Sequence, residues 1–173
     1  IINERGSKAR ITSVTNIEPR VEYSISLSGF SDCSGNTSQA NEVNFVLAEP
    51  GLSGDLLLSE ILFNPRSGGV DFVEIYNQSE KFINLNGWAI GNDDFTESGI
   101  SRLITEENLI IPPSGYLAFT KDKGITTSDY PNNSSEFIIE IDDLPTFPDS
   151  EGTVVLVDPD GNLIEQFDYT DDL

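Results

Sequence analysis

The sequence predicts an all-β protein, a sandwich of short antiparallel strands. Two observations predict it. Apolar residues recur with period two over short runs, the alternation of a strand with one buried face. Turn formers punctuate those runs, with 14 Gly and 9 Pro among 173 residues. No segment holds apolar residues at helical spacing across a window of about 11 residues. At most a short helical turn is expected, in the two longest connecting stretches.

The elements follow in order. Val21, Tyr23, Ile25 and Leu27 alternate with Glu22, Ser24, Ser26 and Ser28. A polar loop over 32–39 leads to Val43, Phe45 and Leu47, which alternate with Asn44, Val46 and Ala48. These predict two antiparallel strands. Residues 48–55 place Pro50, Gly51 and Gly54 among small residues and are expected to form a linker. The division expected is 1–50 and 51–173. Past it, 56–62 forms a strand that stops at Asn64-Pro65, because proline offers no ladder donor. Ser67-Gly68-Gly69 is a turn. Residues 71–77 are apolar on both faces near their middle, as a central strand requires. A third strand is expected over 83–90, including Gly87-Trp88. Leu109-Ile110-Ile111 runs into a Pro112-Pro113-Ser114-Gly115 turn, followed by a strand over 116–119. Residues 137–141 are another. The 153–157 and 163–169 runs flank Asp158-Pro159-Asp160-Gly161-Asn162, a hairpin turn with Gly161 free to take positive φ.

The length is about one domain or slightly more, at roughly 150 residues per domain. Histidine is absent, which removes Ser-His, Cys-His and His-ligated zinc chemistry from this chain. Methionine is also absent, so a fragment or processed form is expected. One cysteine, Cys33, allows no internal disulfide and has no histidine to activate it. The net charge is −21. Residues 53–173 carry 24 acidic and 5 basic side chains, and no base follows Lys123. Phosphate binding needs a basic surface, so nucleic acid is not an expected partner. No apolar run approaches the roughly 20 residues of a membrane span, so direct membrane insertion is not expected either. Neither a Gly-x-Ser-x-Gly elbow nor a phosphate-binding loop with Lys is present.

Several residues invite a chemical reading. Asp32, Ser34 and Asn36 set oxygen donors at spacing two, the donor type Ca²⁺ takes. The competing reading, a turn held by Asp and Gly, is the expected one. Asp158, Asp160 and Asn162 pose the same choice without the later bidentate Glu of an EF-hand, and Asp93-Asp94 beside Gly91-Asn92 is a weaker case. No cofactor is expected unless these carboxylates hold Ca²⁺. Trp88 is expected as a core anchor, with a sugar-stacking platform as the alternative. Glu74, flanked by Val73 and Ile75, is expected to be partly exposed or hydrogen-bonded, since an unpaired buried carboxylate is costly. Asn77 is expected to close its strand through a side-chain-to-backbone bond.

The second half resembles a lamin tail domain, the immunoglobulin-like β-sandwich found at the end of nuclear lamins and in many bacterial extracellular proteins. Ser59-Glu60-Ile61 with Asn64-Pro65 resembles its opening strand. Asp71-Phe72-Val73-Glu74-Ile75-Tyr76-Asn77 resembles its most diagnostic segment. Asn84-Leu85-Asn86-Gly87-Trp88 resembles the next strand, and Pro113-Ser114-Gly115-Tyr116-Leu117 its Pro-Gly-Gly-Tyr turn. Glu151-Gly152-Thr153-Val154-Val155-Leu156 and Asp160-Gly161 resemble its closing hairpin. Two stretches, about 93–107 and 121–136, look like insertions. In the first half, residues 23–36 resemble the end of a bacterial immunoglobulin-like repeat, so 1–50 would be its last strands or extra strands packed on the next domain.

The resemblance implies an immunoglobulin-like β-sandwich without catalysis. It implies a binding or spacer module of a larger secreted or cell-surface bacterial protein, acting through protein–protein or adhesive contacts. The implied partners are other domains of the parent protein and an extracellular protein or polysaccharide. The alternatives are a Ca²⁺-dependent carbohydrate-binding module and an accessory domain of a secreted hydrolase.

Overall fold

Alternating apolar residues can bury one face of a strand only against a second layer, and two such layers form in this chain. The computed structural model describes residues 12–13, 15–92 and 100–171. The chain divides into two units, Ile1–Leu47 and Ala48–Leu173.

In the first unit, β1 (Glu22–Leu27) and β2 (Asn41–Val46) pair antiparallel, with Glu22 opposite Val46 and Leu27 opposite Asn41. Tyr23, Ile25 and Leu27 turn to the sheltered face of β1, as the alternation predicts. Tyr23 stacks on Phe45 at 5.4 Å. Val43 departs from the prediction and stays exposed. None of the described residues of this unit is fully buried.

The second unit contains β3 (Leu56–Leu62), β4 (Phe72–Asn77), β5 (Ile83–Asn84), β6 (Ala89–Asn92), β7 (Ile100–Leu103), β8 (Ile110–Ile111), β9 (Tyr116–Thr120), β10 (Ile138–Glu140), β11 (Glu151–Val157) and β12 (Leu163–Thr170). One sheet runs β10-β9-β4-β3 and the other β12-β11-β6-β7, with β5 and β8 forming a small ladder. Val73, Ile75, Leu117 and Phe119 from the first sheet join Ile90, Val154 and Leu156 from the second in one buried cluster. Strand β4 lies inside its sheet with Phe72, Val73 and Ile75 all buried, which is why its middle is apolar on both faces.

The structure corrects two expectations and shows what two further stretches contain. The strand expected over 83–90 is two strands. Gly87 takes φ 79° and the Trp88 N–H bonds the Leu85 carbonyl at 3.1 Å, so the chain turns and β6 enters a different sheet from β5. Trp88 therefore sits just before a strand. The stretch 93–107 contains β7, which pairs with β6; Ser101 and Arg102 break the apolar pattern that would have revealed it. The stretch 121–136 is a crossover. Strand β10 pairs parallel to β9, and parallel neighbours need a connection of about a dozen residues or more. That connection carries α1 (Lys123–Asp129), capped where Asp122 accepts the Ile125 N–H at 2.9 Å. The stretch 48–55 is no free linker. The Glu49 N–H bonds the Phe82 carbonyl at 2.9 Å, and Lys81 pairs with Asp55 at 2.5 Å and reaches the Pro50 carbonyl. Gly51 lies against the Trp88 indole, where a Cβ would come within 2.8 Å of the ring.

Asn77, at the end of β4, is fully buried. Its side-chain amide donates to the carbonyls of Lys81 at 2.7 Å, Pro112 at 3.0 Å and Ile111 at 3.1 Å. Its side-chain oxygen accepts from the Ser79 N–H at 3.0 Å and the Ser79 hydroxyl at 2.7 Å. Its backbone N–H and carbonyl bond Gly115 and Ser114. The expected strand-closing bond is one of a set that joins three loops.

Two stability outcomes follow from this packing. Trp88 is 3% exposed, so Trp88→Ala should destabilise the second unit by about 3–5 kcal/mol; a urea midpoint equal to wild type would refute the core role. Ser114 takes φ 59°, the left-handed region that costs a side chain energy. Ser114→Gly should therefore stabilise by roughly 0.5–1 kcal/mol in the same measurement.

Candidate functional site

Strands β3 and β12 end their respective sheets, and they come together along one side of the sandwich. Between them runs a groove of about 240 Å³. Leu58 and Ile61 line it from β3, and Phe63 from the residue beyond. Phe167 and Tyr169 line it from β12. Phe63 stacks on Tyr169 with centroids 4.2 Å apart. Tyr169 is buried, whereas Phe167 is 44% exposed. Tyr169 donates its hydroxyl to the Pro148 carbonyl at 3.0 Å. Burial, with Asp71 and Asp149 adding repulsion, pushes that hydroxyl up to about 12, so it remains a donor near neutral pH.

A bulge shapes the β3 wall. The register slips between Leu58 and Glu60, leaving Ser59 without a cross-strand partner. Two residues then oppose one, and the strand bends. The Ser59 hydroxyl donates to a Glu74 carboxylate oxygen at 2.8 Å. The same slip sets Glu60 directly opposite Glu74. Like charges so placed repel. Burial first, and the Glu74 charge second, raise the Glu60 pKa above the ordinary carboxylate value. Among the described residues, no base pairs with either. Glu74 is half-buried and hydrogen-bonded, as its position between Val73 and Ile75 requires. Asp71 is also raised, chiefly by burial, although it accepts the Phe147 N–H at 3.3 Å.

The residues singled out from sequence do not gather at this groove. Asp32 and Asn36 close one loop, and Asp158, Asp160 and Asn162 another, on the same plan. In the first, one Asp32 oxygen accepts the N–H groups of Ser34 at 2.8 Å and Asn36 at 2.9 Å, and the other accepts the Asn36 amide at 2.7 Å. In the second, Asp158 accepts from the N–H groups of Asp160 at 3.0 Å and Asn162 at 2.8 Å and from the Asn162 amide at 2.8 Å. Gly35 and Gly161 take φ 85° and 83°. Three of about four lone-pair positions on each carboxylate thus face the loop's own donors. The asparagine amide is the main cause that holds both aspartates below the usual carboxylate range. Among the described residues, no group of three or more metal-ligating acids converges. Asp93 and Asp94 lie outside the described residues. Cys33 is exposed on its loop. Trp88 is enclosed by the core and offers no face to a sugar.

Sequence reasoning passed over the groove because it belongs to two strand edges that lie far apart in the chain. The signal that could have found it is Phe167, a large aromatic between the polar residues Gln166 and Asp168.

Two facing sheets around a single buried cluster define an immunoglobulin-like β-sandwich. A family model, Lamin Tail Domain, matches residues 49–171. The chain belongs to the lamin tail domain family, and all five segments that carried the resemblance lie inside the match. The family is one of non-enzymatic immunoglobulin-like domains, which agrees with a non-catalytic module. No curated protein matches the chain.

The raised Glu60 pKa has a defined consequence for stability. The folded state holds this proton more tightly than the unfolded state does. The stability it contributes is fully present below the unfolded Glu pKa and is lost as pH rises through the folded value. Urea midpoints between about pH 4 and 7 should therefore fall less steeply for Glu60→Gln than for wild type. Parallel curves would show that the pair does not couple folding to protonation.

Proposed function

We propose that this chain is a non-catalytic binding or spacer module of a larger secreted or cell-surface bacterial protein, engaged in protein–protein or adhesive contacts. The observation that carries this reading is the open side of the sandwich. There the two sheets leave an apolar recess between acidic edges, the kind of surface a second polypeptide covers. The net charge of −21 supports it by disfavouring nucleic acid and anionic membranes as partners. Among the described residues, no helix is long and apolar enough to cross a membrane. Other domains of the parent protein and extracellular proteins are the partners that fit.

One observation favours the carbohydrate-binding alternative. Tyr76 and Tyr116 stack at 4.4 Å on the outer face of the first sheet, and Tyr116 is 48% exposed. A sugar ring could stack there, whereas Trp88 is closed to it. Calcium dependence in that reading falls to the Asp32 and Asp158 loops.

One set of measurements separates the readings. Added NaCl should raise the melting temperature by screening the acidic surface, with saturation near about 0.5 M. At that salt, about 2 mM CaCl₂ should add no more than MgCl₂ does. A glycan array should show no binding that Tyr116→Ala abolishes. A shift of several degrees for calcium alone, reversed by Asp158→Asn or Asp32→Asn, would replace the protein-binding reading with the calcium-dependent one.

A further inference from the structure

Strand β12 is an unusual edge. Native sheets blunt their exposed edges with lysine, proline or a bulge. The opposite wall, β3, has such a device in the bulge at Ser59. Strand β12 is longer and has its own bulge at Ile164, but from Glu165 to Thr170 it pairs with β11 in unbroken register, Glu165 opposite Leu156 and Thr170 opposite Glu151. It contains neither lysine nor proline. Among the described residues, no strand pairs with its outer edge. Beside that edge lies the groove, with Phe167 exposed in it and Leu58 and Ile61 beyond. Such an edge is a template for one more strand, whose alternate side chains would enter the groove.

Charge decides which strand. Glu165 and Asp168 lie on β12, Glu60 lies across the groove, and neither strand carries a base. A second copy pairing antiparallel through β12 would bring these carboxylates against their own images, which is unfavourable. A strand that alternates apolar and basic residues would send its apolar side chains into the groove beside Phe167 and set its bases on the face of Asp168.

We propose that β12 is extended by a strand from another polypeptide, with alternating apolar and basic residues, the apolar ones entering the groove between β12 and β3. This rests on the reading of the chain as a protein-binding module and names the kind of partner it takes. Main-chain hydrogen bonds to β12 supply the pairing. Contact with Phe167, Leu58 and Ile61 supplies apolar burial, and Asp168, on the opposite face of β12, selects lysine or arginine on the incoming strand.

The test uses a capped peptide of about nine residues in which Lys alternates with Val and Phe, long enough to match one strand. Two controls accompany it. In one, every second backbone amide is N-methylated, which keeps charge and side chains but removes the donors of strand addition. In the other, Glu replaces Lys. The full 173-residue chain is titrated, with amide hydrogen exchange read residue by residue. The expected result is binding of the Lys peptide alone, with slowed exchange in β12 and weakening as NaCl rises. Phe167→Lys should weaken binding about ten-fold or more, as loss of a central aromatic does. Phe137→Lys, the same exchange at an exposed phenylalanine outside the groove, should leave it within about two-fold, as an uninvolved surface site does. Melting curves confirm that both variants fold.

Equal binding of the N-methylated peptide overturns the proposal, as do protection confined to another strand and equal sensitivity to Phe137→Lys. So does failure of the Lys peptide to bind, including the case where the chain dimerises through β12 instead. None of those results alters the calcium and glycan measurements, which judge the broader reading separately.

Discussion

The lamin tail unit depends on the hydrogen bonds of one buried asparagine. A buried amide left unpaired costs energy, and a paired one fixes what it touches. Asn77 ends the central strand and spends both amide hydrogens and its side-chain oxygen on loop groups. Three segments are held at once: the turn after β4, the end of β8, and the Pro-Ser-Gly turn that starts β9. Because β9 is the next strand in the sheet, its register against β4 starts from this knot, with Tyr116 opposite Tyr76 and Phe119 opposite Val73. The same residue heads an Asn-x-Ser sequon, Asn77-Gln78-Ser79. Its burial and its occupied amide withhold it from any glycosylating enzyme in the folded state.

The other buried polar side chains among the described residues, Thr120 and Thr126, share a hydrogen bond at 2.8 Å, and the apolar cluster is organised around shape. Trp88 fills the space under the chain entry, where Gly51 has no side chain to obstruct it. Tyr169 lies over Gly152 in the same manner, on the directly opposite strand position. In both places an aromatic ring and a glycine are matched across the packing. Leu144 and Phe147, from the irregular segment before β11, complete the buried set.

Much of this was legible in the residues. The run 56–62, ended by Asn64-Pro65, located β3 to the residue, and the apolar middle of 71–77 identified β4 as central, because each signal is local. The losses have physical causes. Gly87 can either continue a strand or reverse it, and only the alternative partners of β5 and β6 decide. The Lys123–Asp129 helix is too short for a helical period and holds no strong apolar stripe; its cap and its contacts with the sheet define it. Leu144 and Phe147 each directly precede a proline, Pro145 and Pro148, where no periodicity marks burial. The acid-rich loops at Asp32 and Asp158 were legible as turns down to the glycine. The groove was not, because a cleft between two strand edges is a property of the assembled sheets.

The crossover through α1 also bears on how the chain reaches this state. The β3–β4 and β11–β12 hairpins close over short loops and can form early. Pairing β10 beside β9 must wait until the intervening segment, with its helix, has folded back over the sheet. Pairing β4 with β9 spans some forty residues more, closing a loop over β5 to β8. Loop closure of that length is an entropic cost met before any contact repays it. Folding on the millisecond-to-second scale of β-sandwiches is the consequence, with the β10 edge among the last parts to dock.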